Sequence, residues 1–438
     1  MKNNKSNQKT SGGFMYKLMI IICIIALIIA AGAGFVFIRE IKNSEKEKSP
    51  SPSGTTLKSD DAQDTTEEST AGNEAYNLDQ YDRIISQMSL HEKICQMFIV
   101  TPESLTGFDV VTASGDATRS SLEQYPVGGL IYFSANLESM DQAKEMLSGA
   151  KGIQKDLDLI PLFYAIDEEG GDVARCADAL GTTSFDPMYL YKEKGTDTAY
   201  SNAKTIAGDI LSVGFNLDFA PVADTWSNPA NTVIGQRAYS DDFAETAELV
   251  AAAVKGFSDG RVYCSVKHFP GHGDTAEDSH YGTAVSAKTL AELQEERKSN
   301  EKKIAELEQN EYLAFKKGIE AGADMVMMGH ITMTSVDQLP ASVSKTMITD
   351  ELRGKLGYDG VVITDSLAMG AVTEMYESGE LAVKIVDAGA DMLLMPQDMK
   401  AAVEALEKAV EDGTITEERI NESIRRILIL KSEKMQIE

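Results

Sequence analysis

Cysteine is scarce in this chain. Its 438 residues include four cysteines, Cys23, Cys95, Cys176 and Cys264, which lie far apart with no CxxC pair. A disulfide-stapled fold is typical of short chains dense in cysteine, and a zinc ribbon needs CxxC pairs, so the sequence indicates neither. The compartment therefore has to be predicted from the N-terminal segment.

Basic residues are also too few for some functions. Lys and Arg total 41 against 69 Asp and Glu, which gives a formal net charge of −28. Such a surface repels a phosphate backbone, so general nucleic-acid binding is excluded. No predicted strand is followed by a GxGxxG or Walker loop, which weakens a nucleotide-binding function. The 43% hydrophobic content still predicts a globular body with a sizeable core.

The N-terminal segment contains a long apolar run. Residues 18–38 are 21 uncharged residues, LMIIICIIALIIAAGAGFVFI, and a helix of that length spans roughly 30 Å, the thickness of a bilayer core. We predict a transmembrane anchor here. Lysines stand without acidic neighbours in the tail 1–17, so we expect that tail in the cytoplasm and the body outside. The alternative is a signal peptide cleaved near the small residues 31–33, which would give a secreted protein.

A polar segment separates this run from the body. Residues 39–76 are rich in Ser, Thr, Asp, Glu, Pro and Gly. They offer too little apolar surface to offset the entropy of ordering, so they predict a disordered linker. The remaining residues, 77–438, form the predicted catalytic domain.

Eight short apolar runs alternate with amphipathic helical patterns in that domain. None of them alternates with period two, which is typical of parallel strands covered on both faces. The predicted strands are 97–100, 129–133, 162–166, 216–220, 263–267, 325–329, 361–364 and 391–395. Eight strand–helix units in about 360 residues predict an α/β fold of the (β/α)₈ barrel type.

Active sites of such barrels lie at the carboxyl ends of the strands. Polar residues follow several predicted strands: Asp167, Glu169, Asp218, Asp224, Arg237, Lys267, His268, His330 and Asp365. Any one of them could be a solvated loop charge, but independent charges would not gather at one rim. The set therefore predicts a site. We do not assign His330 to it, because a structural hydrogen-bonding role is equally consistent with its position.

Two elements in this set favour acid–base and nucleophilic chemistry. The segment KHFPGHGDTAEDSH, residues 267–280, holds three of the five histidines. Within it Asp278 can bond the imidazole of His280 and favour the protonated ring, so that the pair can donate and later accept a proton. Asp365 directly follows the apolar run VVIT. A carboxylate beside a general acid is what glycosyl transfer through a covalent intermediate needs.

A metal site is the competing interpretation of the same segment. Its possible ligands are His268, His272, Asp274, Asp278 and His280. Metal-dependent barrel hydrolases usually take ligands from several strand ends, often with an HxH pair after the first strand, whereas Thr-Pro follows that strand here. We therefore expect no metal and no cofactor. A metallohydrolase would instead lose its activity with a chelator.

Four motifs together resemble glycoside hydrolase family 3, and within it the single-domain bacterial β-N-acetylhexosaminidases. They are KHFPGHGDTAEDSH, VVITDSLAMGAV, DEEGGDVAR and VIGQRAY, and the similarity covers residues 78–432. The resemblance implies a barrel without a required metal, with Asp365 as nucleophile and His280 as acid/base oriented by Asp278. It also implies that five residues hold the hydroxyls of the terminal sugar: Asp167, Arg175, Arg237, Lys267 and His268.

Three features depart from the family pattern. Asp172 stands where relatives often have arginine, and Ser366 follows the implied nucleophile where a second aspartate is common. The charged segment 291–309 is longer than in family members. We interpret this segment as a solvated helix.

The sequence thus predicts a membrane-anchored, retaining β-N-acetylhexosaminidase that releases terminal N-acetylglucosamine from glycans or wall fragments. A phosphorylase is one alternative, because a neutral histidine base does not repel phosphate. Another family 3 β-glycosidase, a β-glucosidase or β-xylosidase, is the second. A non-catalytic cell-wall-binding protein is the alternative from another class. It would be expected to have lost Asp365, His280 or Asp278, and all three are present.

Overall fold

The computed structural model describes residues 80–275, 284–285, 307 and 309–437. The predicted tail 1–17, apolar run 18–38 and linker 39–76 lie outside these residues, as does most of the charged segment 291–309. In the part of the chain that is described, no helix is both long and apolar enough to cross a bilayer.

Eight parallel strands form a barrel, as the apolar runs predict. They are β1 (Phe98–Val100), β2 (Gly129–Ile131), β3 (Phe163–Ile166), β4 (Leu217–Asp218), β5 (Tyr263–Phe269), β6 (Met325–Met328), β7 (Val361–Thr364) and β8 (Leu393–Leu394). Strands β1 to β7 pair with their neighbours in chain order, and β8 pairs with β1 at the other end of the sheet. A single parallel bridge between Ile363 and Met392 joins the ends of the sheet, so the barrel is nearly closed.

Helices surround the barrel and cover the outer face of its strands. They include residues 80–87, Leu90–Gln96, Pro102–Thr106, Asp116–Gln124, Met140–Asp156, Arg175–Leu180, Thr196–Val213, Phe243–Asp259, Leu313–Glu320, Gly370–Thr373, Ser378–Ala388, Met399–Glu411 and Glu417–Lys434, with a π-helix at Thr346–Lys355. A capping box begins the helix Leu90–Gln96, because the Glu92 amide donates to the Ser89 hydroxyl and the Ser89 amide donates to the Glu92 carboxylate.

Two irregularities at the carboxyl end of the barrel shape the site. A hairpin of Glu168–Gly170 and Val173–Ala174 follows β3. Its turn contains Gly171 at φ +61°, where a Cβ atom would lie 2.5 Å from Pro187 Cα, so the position needs glycine. In β5 the register toward β6 shifts between Val266 and Phe269. Bulges of this kind re-aim side chains, and the two residues that lie in this one are Lys267 and His268.

The helix Glu417–Lys434 contacts the amino-end side of the barrel and carries an unusual lysine there. Lys431 is fully buried and donates to Gln96 Oε1 at 2.9 Å and to the Gly128 carbonyl at 3.0 Å. Its Nζ lies 5.0 Å from the centroid of the Phe163 ring. Burial lowers the pKa of Lys431 to about 7, from 10.5.

This lysine predicts a pH dependence of stability. Above pH 7 the unfolded chain binds more protons than the folded chain, so this group stabilises the fold as pH rises from 7 toward 10. The free energy of unfolding is measured with denaturant at pH 7 and at pH 9. Between these two pH values it should rise by about 2 kcal/mol more for wild type than for Lys431→Met. The exposed lysine variant Lys408→Met is the control. Equal pH responses of wild type and Lys431→Met would contradict the prediction.

Candidate active site

A cavity of about 320 Å³ lies at the carboxyl end of the barrel. Its walls come from segments that follow different strands. The structure gathers there the predicted nucleophile and all five predicted sugar-binding residues: Asp365, Asp167, Arg175, Arg237, Lys267 and His268. Residues up to 198 positions apart in sequence thus share one pocket of the size that small molecules occupy.

Asp365 is held directly after β7. Its amide donates to the Met328 carbonyl at 2.8 Å, and its carboxylate accepts the Ser366 amide at 2.7 Å. Burial raises the pKa of Asp365, but His268, His330 and the Ser366 amide outweigh burial and bring the pKa below its usual value. Lys267 adds a smaller effect in the same direction. The carboxylate is therefore ionised at neutral pH, as a nucleophile requires.

His330 holds the backbone next to Asp365 in place. Its Nε2 donates to the Ser366 carbonyl at 2.9 Å, and its Nδ1 lies 2.8 Å from the Ser342 hydroxyl. Because a carbonyl only accepts, the proton of the neutral ring is on Nε2. Both ring nitrogens are engaged, so the structural role left open by the sequence is the one its contacts support.

A buried carboxylate, Glu169, joins two of the cations. Its Oε1 lies 2.7 Å from Lys267 Nζ and 2.8 Å from Arg237 Nη2, and its Oε2 accepts from Arg237 Nε at 2.8 Å. Burial would raise the pKa of Glu169, but the charges of Arg237 and Lys267 outweigh it and hold the pKa well below the usual range. Lys267 also donates to Asp167 at 2.8 Å. The four side chains form one charge-balanced network on the cavity wall.

A second buried carboxylate, Asp224, contacts the ring of His268 in β5 and the backbone of His272, which follows that strand. Asp224 Oδ2 lies 2.7 Å from His268 Nδ1, and Oδ1 accepts the His272 amide. Because Nδ1 of His268 is engaged by Asp224, Nε2 is the ring nitrogen that remains to face the cavity. His272 Nδ1 lies 2.7 Å from the Thr275 hydroxyl, and burial lowers the pKa of His272.

Arg175 also lines the cavity. Its guanidinium carbon is 5.4 Å from the centroid of the Phe133 ring, and its buried Nε has no hydrogen-bond partner among the described residues. Arg175 begins the helix Arg175–Leu180. Glu168 fixes the start of that helix, because its carboxylate accepts the amides of Cys176 and Ala177 at 2.6 and 3.0 Å. Burial raises the pKa of Glu168 to about 7, although these amides oppose it.

The predicted acid/base pair, Asp278 and His280, lies outside the described residues, which are interrupted after Thr275. His272, eight residues before His280 in the sequence, lines the cavity. Of the departures from the family pattern, Ser366 lines the cavity, whereas Asp172 is an exposed turn residue that does not.

Sequence reasoning did not assign roles to several residues that shape this site: Glu169, Asp224, His272 and His330. Each of them lies within a segment that the motifs had singled out or among the polar residues that follow strands. Their chemistry was visible in the sequence. Which carboxylate faces which cation was not, because it depends on how the loops pack.

The family model described as Glycosyl hydrolase family 3 N terminal domain matches residues 89–430. The chain belongs to glycosyl hydrolase family 3. This confirms the resemblance carried by the four motifs, and the matched residues include every barrel strand and the whole described cavity.

Named family members resemble this chain over most of the barrel. "Beta-hexosaminidase A" of Pseudoalteromonas piscicida is 31% identical over 337 residues, which are 71% of this chain and 54% of that protein. "Beta-hexosaminidase" of Xanthomonas euvesicatoria pv. vesicatoria is 32% identical over 63% of this chain and 78% of its own length. The chain therefore spans about half of the first relative and most of the second.

A solved family 3 structure is also similar. The glycoside hydrolase family 3 beta-N-acetylglucosaminidase from Paenibacillus sp. str. FPU-7 superposes with a TM-score of 0.71 and 37% identity. The match covers 79% of this chain and 63% of that chain.

Proposed function

We propose that this chain is a retaining β-N-acetylhexosaminidase that removes terminal N-acetylglucosamine from glycans through a covalent intermediate on Asp365. The observation that carries the proposal is the position of the Asp365 carboxylate in one small cavity with the polar side chains Asp167, Arg175, Arg237, Lys267 and His268. The similar proteins named beta-hexosaminidase and beta-N-acetylglucosaminidase support the acetamido sugar as substrate.

In the first step, Asp365 attacks the anomeric carbon while the leaving oxygen takes a proton. The positive charge that develops on the sugar is stabilised by the carboxylate. Asp167 and Arg237 are placed to hold hydroxyls, because both line the cavity beside Lys267. In the second step, water attacks the anomeric carbon, the bond from that carbon to the Asp365 carboxylate breaks, and the sugar leaves with its original configuration.

We propose His280, oriented by Asp278, as the group that protonates the leaving oxygen and then deprotonates water. It follows Thr275 by five residues, and five extended residues span about 17 Å. The chain can therefore carry His280 from the cavity wall to the leaving-group side of the sugar.

A panel of aryl β-glycosides tests the substrate. We expect kcat/KM for the N-acetylglucosaminide to exceed that for the glucoside and xyloside by at least about 100-fold, because a site built for the acetamido group leaves polar groups unpaired with the other sugars. Preference for the glucoside or xyloside would favour the other family 3 activities instead.

The acceptor of the second step needs its own measurement. A neutral histidine does not repel an anion, so inorganic phosphate could replace water. Product analysis in phosphate buffer separates the two reactions. We expect free N-acetylglucosamine, and a sugar 1-phosphate as main product would make the chain a phosphorylase.

We further propose that residues 18–38 anchor the protein in the cell membrane with the barrel outside. The support is the uncharged 21-residue run and the lysine-rich tail before it. Membrane fractionation of the full chain tests this. Recovery in the membrane pellet after a carbonate wash supports the anchor, whereas a shortened protein in the medium supports cleavage.

A further inference from the structure

The loop after the helix Pro102–Thr106 exposes two bulky apolar side chains. Phe108 is 60% exposed and Val110 is 54% exposed, and in the described part of the chain these are the highest values among large hydrophobic residues. Single exposed apolar residues are ordinary on protein surfaces. Phe108 and Val110, however, lie within three residues of each other and form a small apolar patch. The patch belongs to the segment that follows β1, at the carboxyl end of the barrel where the cavity lies.

A buried side chain fixes this loop to the wall of the active site. Asn136, which is 2% exposed, donates through Nδ2 to the Val111 carbonyl at 2.9 Å and to Glu103 at 2.6 Å. Its Oδ1 accepts the Phe133 amide at 2.8 Å. Glu103 also accepts the Val111 amide at 2.8 Å. One asparagine therefore connects Val111 to Phe133, whose side chain lines the cavity.

These contacts limit how far the patch can be from the cavity. Two hydrogen bonds and one amide group separate the Val111 carbonyl from the Phe133 amide by no more than about 8 Å. Phe108 precedes Val111 by three residues, which span about 10 Å at most. Phe108 therefore lies within about 18 Å of the Phe133 amide, which is within the reach of an oligosaccharide whose terminal ring occupies the cavity.

We propose that Phe108 and Val110 bind the leaving-group side of the substrate and that the apolar face of a second or third neutral pyranose ring packs on them. This inference rests on the proposed glycosidase function and specifies its substrate as an oligosaccharide. Pyranose rings combine C–H faces with a hydroxyl edge, and the patch offers an aromatic and an aliphatic side chain on either side of the exposed Asp109. That carboxylate can accept hydroxyl protons and repels anionic groups.

The patch is also held rigidly, which lowers the entropic cost of binding. Besides Asn136, Gln142 donates to the Thr112 carbonyl at 2.6 Å and to the Asn136 carbonyl at 3.0 Å. The loop is therefore fastened on the side of Val111 and Thr112, while the Phe108 and Val110 side chains remain exposed. Substitution of Phe108 removes a surface side chain and leaves these fastening contacts in place.

The test compares a substrate with a long leaving group and one without. For Phe108→Ala we expect kcat/KM to fall about five- to tenfold on the β-1,4-linked trimer of N-acetylglucosamine. On methyl β-N-acetylglucosaminide it should stay unchanged. Phe108→Trp should retain activity on the trimer. The matched control is Leu211→Ala, an exposed leucine on the outer helix Thr196–Val213.

The outcomes separate this inference from the function on which it rests. If Phe108→Ala leaves kcat/KM on the trimer unchanged, or lowers it equally on both substrates, the proposed role of the patch is wrong while the glycosidase assignment stands. A loss confined to the trimer supports it. If wild type turns over neither substrate, the proposed function is wrong, and the proposed role of the patch is wrong with it.

Discussion

Replacement of Asp365 by alanine is expected to lower kcat for an aryl β-N-acetylglucosaminide at least about 10⁴-fold, because the proposed covalent step then lacks its nucleophile. Asp365→Asn, which keeps the shape but removes the charge, should be nearly as inactive. The side chain is partly exposed at the end of β7, so neither variant should lose much stability. Steady-state kinetics and thermal unfolding measure both effects.

A small anion should restore part of the activity of Asp365→Ala. Azide fits the space left by the carboxylate and attacks the same face of the sugar, so the product should be the α-glycosyl azide. Asp387→Asn, an exposed aspartate on the helix Ser378–Ala388, is the control. If Asp365→Ala keeps more than a few per cent of wild-type activity without azide, the nucleophile assignment is wrong.

Glu169→Gln is expected to lower kcat/KM about 100-fold, mainly through a higher KM. Glu169 bridges Lys267 and Arg237, and its neutralisation leaves the buried Lys267 and the half-buried Arg237 close together without the shared negative charge. Their side chains should then shift away from the sugar hydroxyls. A displacement of about 1 Å at a positioning residue can cost this much.

A second buried glutamate, outside the cavity, provides a control that separates the kinetic effect of Glu169→Gln from a loss of stability. Glu351 is 4% exposed and pairs with Lys355 in the π-helix Thr346–Lys355. Glu351→Gln should lower the free energy of unfolding and leave KM unchanged. Glu169→Asp should recover part of the loss in KM, because it restores the charge. Equal kinetic effects of Glu169→Gln and Glu351→Gln would mean that Glu169 does not position the site.

The strands could be predicted because each is a short apolar run bounded by turn residues. The related stretches EAGADMV and DAGADML illustrate this. In the structure Gly322 and Gly389 adopt φ values of +95° and +115° after a helix, and β6 and β8 follow. Glycine there relieves the steric cost of the left-handed region. Local rules of this kind act within a few residues and are visible in one sequence.

The arrangement of charges was less predictable. Glu168 and Glu169 are adjacent and chemically alike, yet Glu168 accepts backbone amides and Glu169 binds two cations. Neighbouring side chains on a strand point to opposite faces, and only the direction of the hairpin decides which one faces the cavity. The His268–Asp224 contact joins residues 44 positions apart. Neither pairing has a local pattern.

The proposed role of Asp365 as a covalent nucleophile is tested most directly by mass spectrometry of the trapped intermediate. The protein would be incubated with an N-acetylglucosaminyl fluoride that carries a further ring fluorine, which slows the second step. We expect the intact mass to rise by one sugar residue and the adduct to map to Asp365 within a peptide spanning β7. An adduct on another residue, or no adduct while the compound is turned over, would contradict the account.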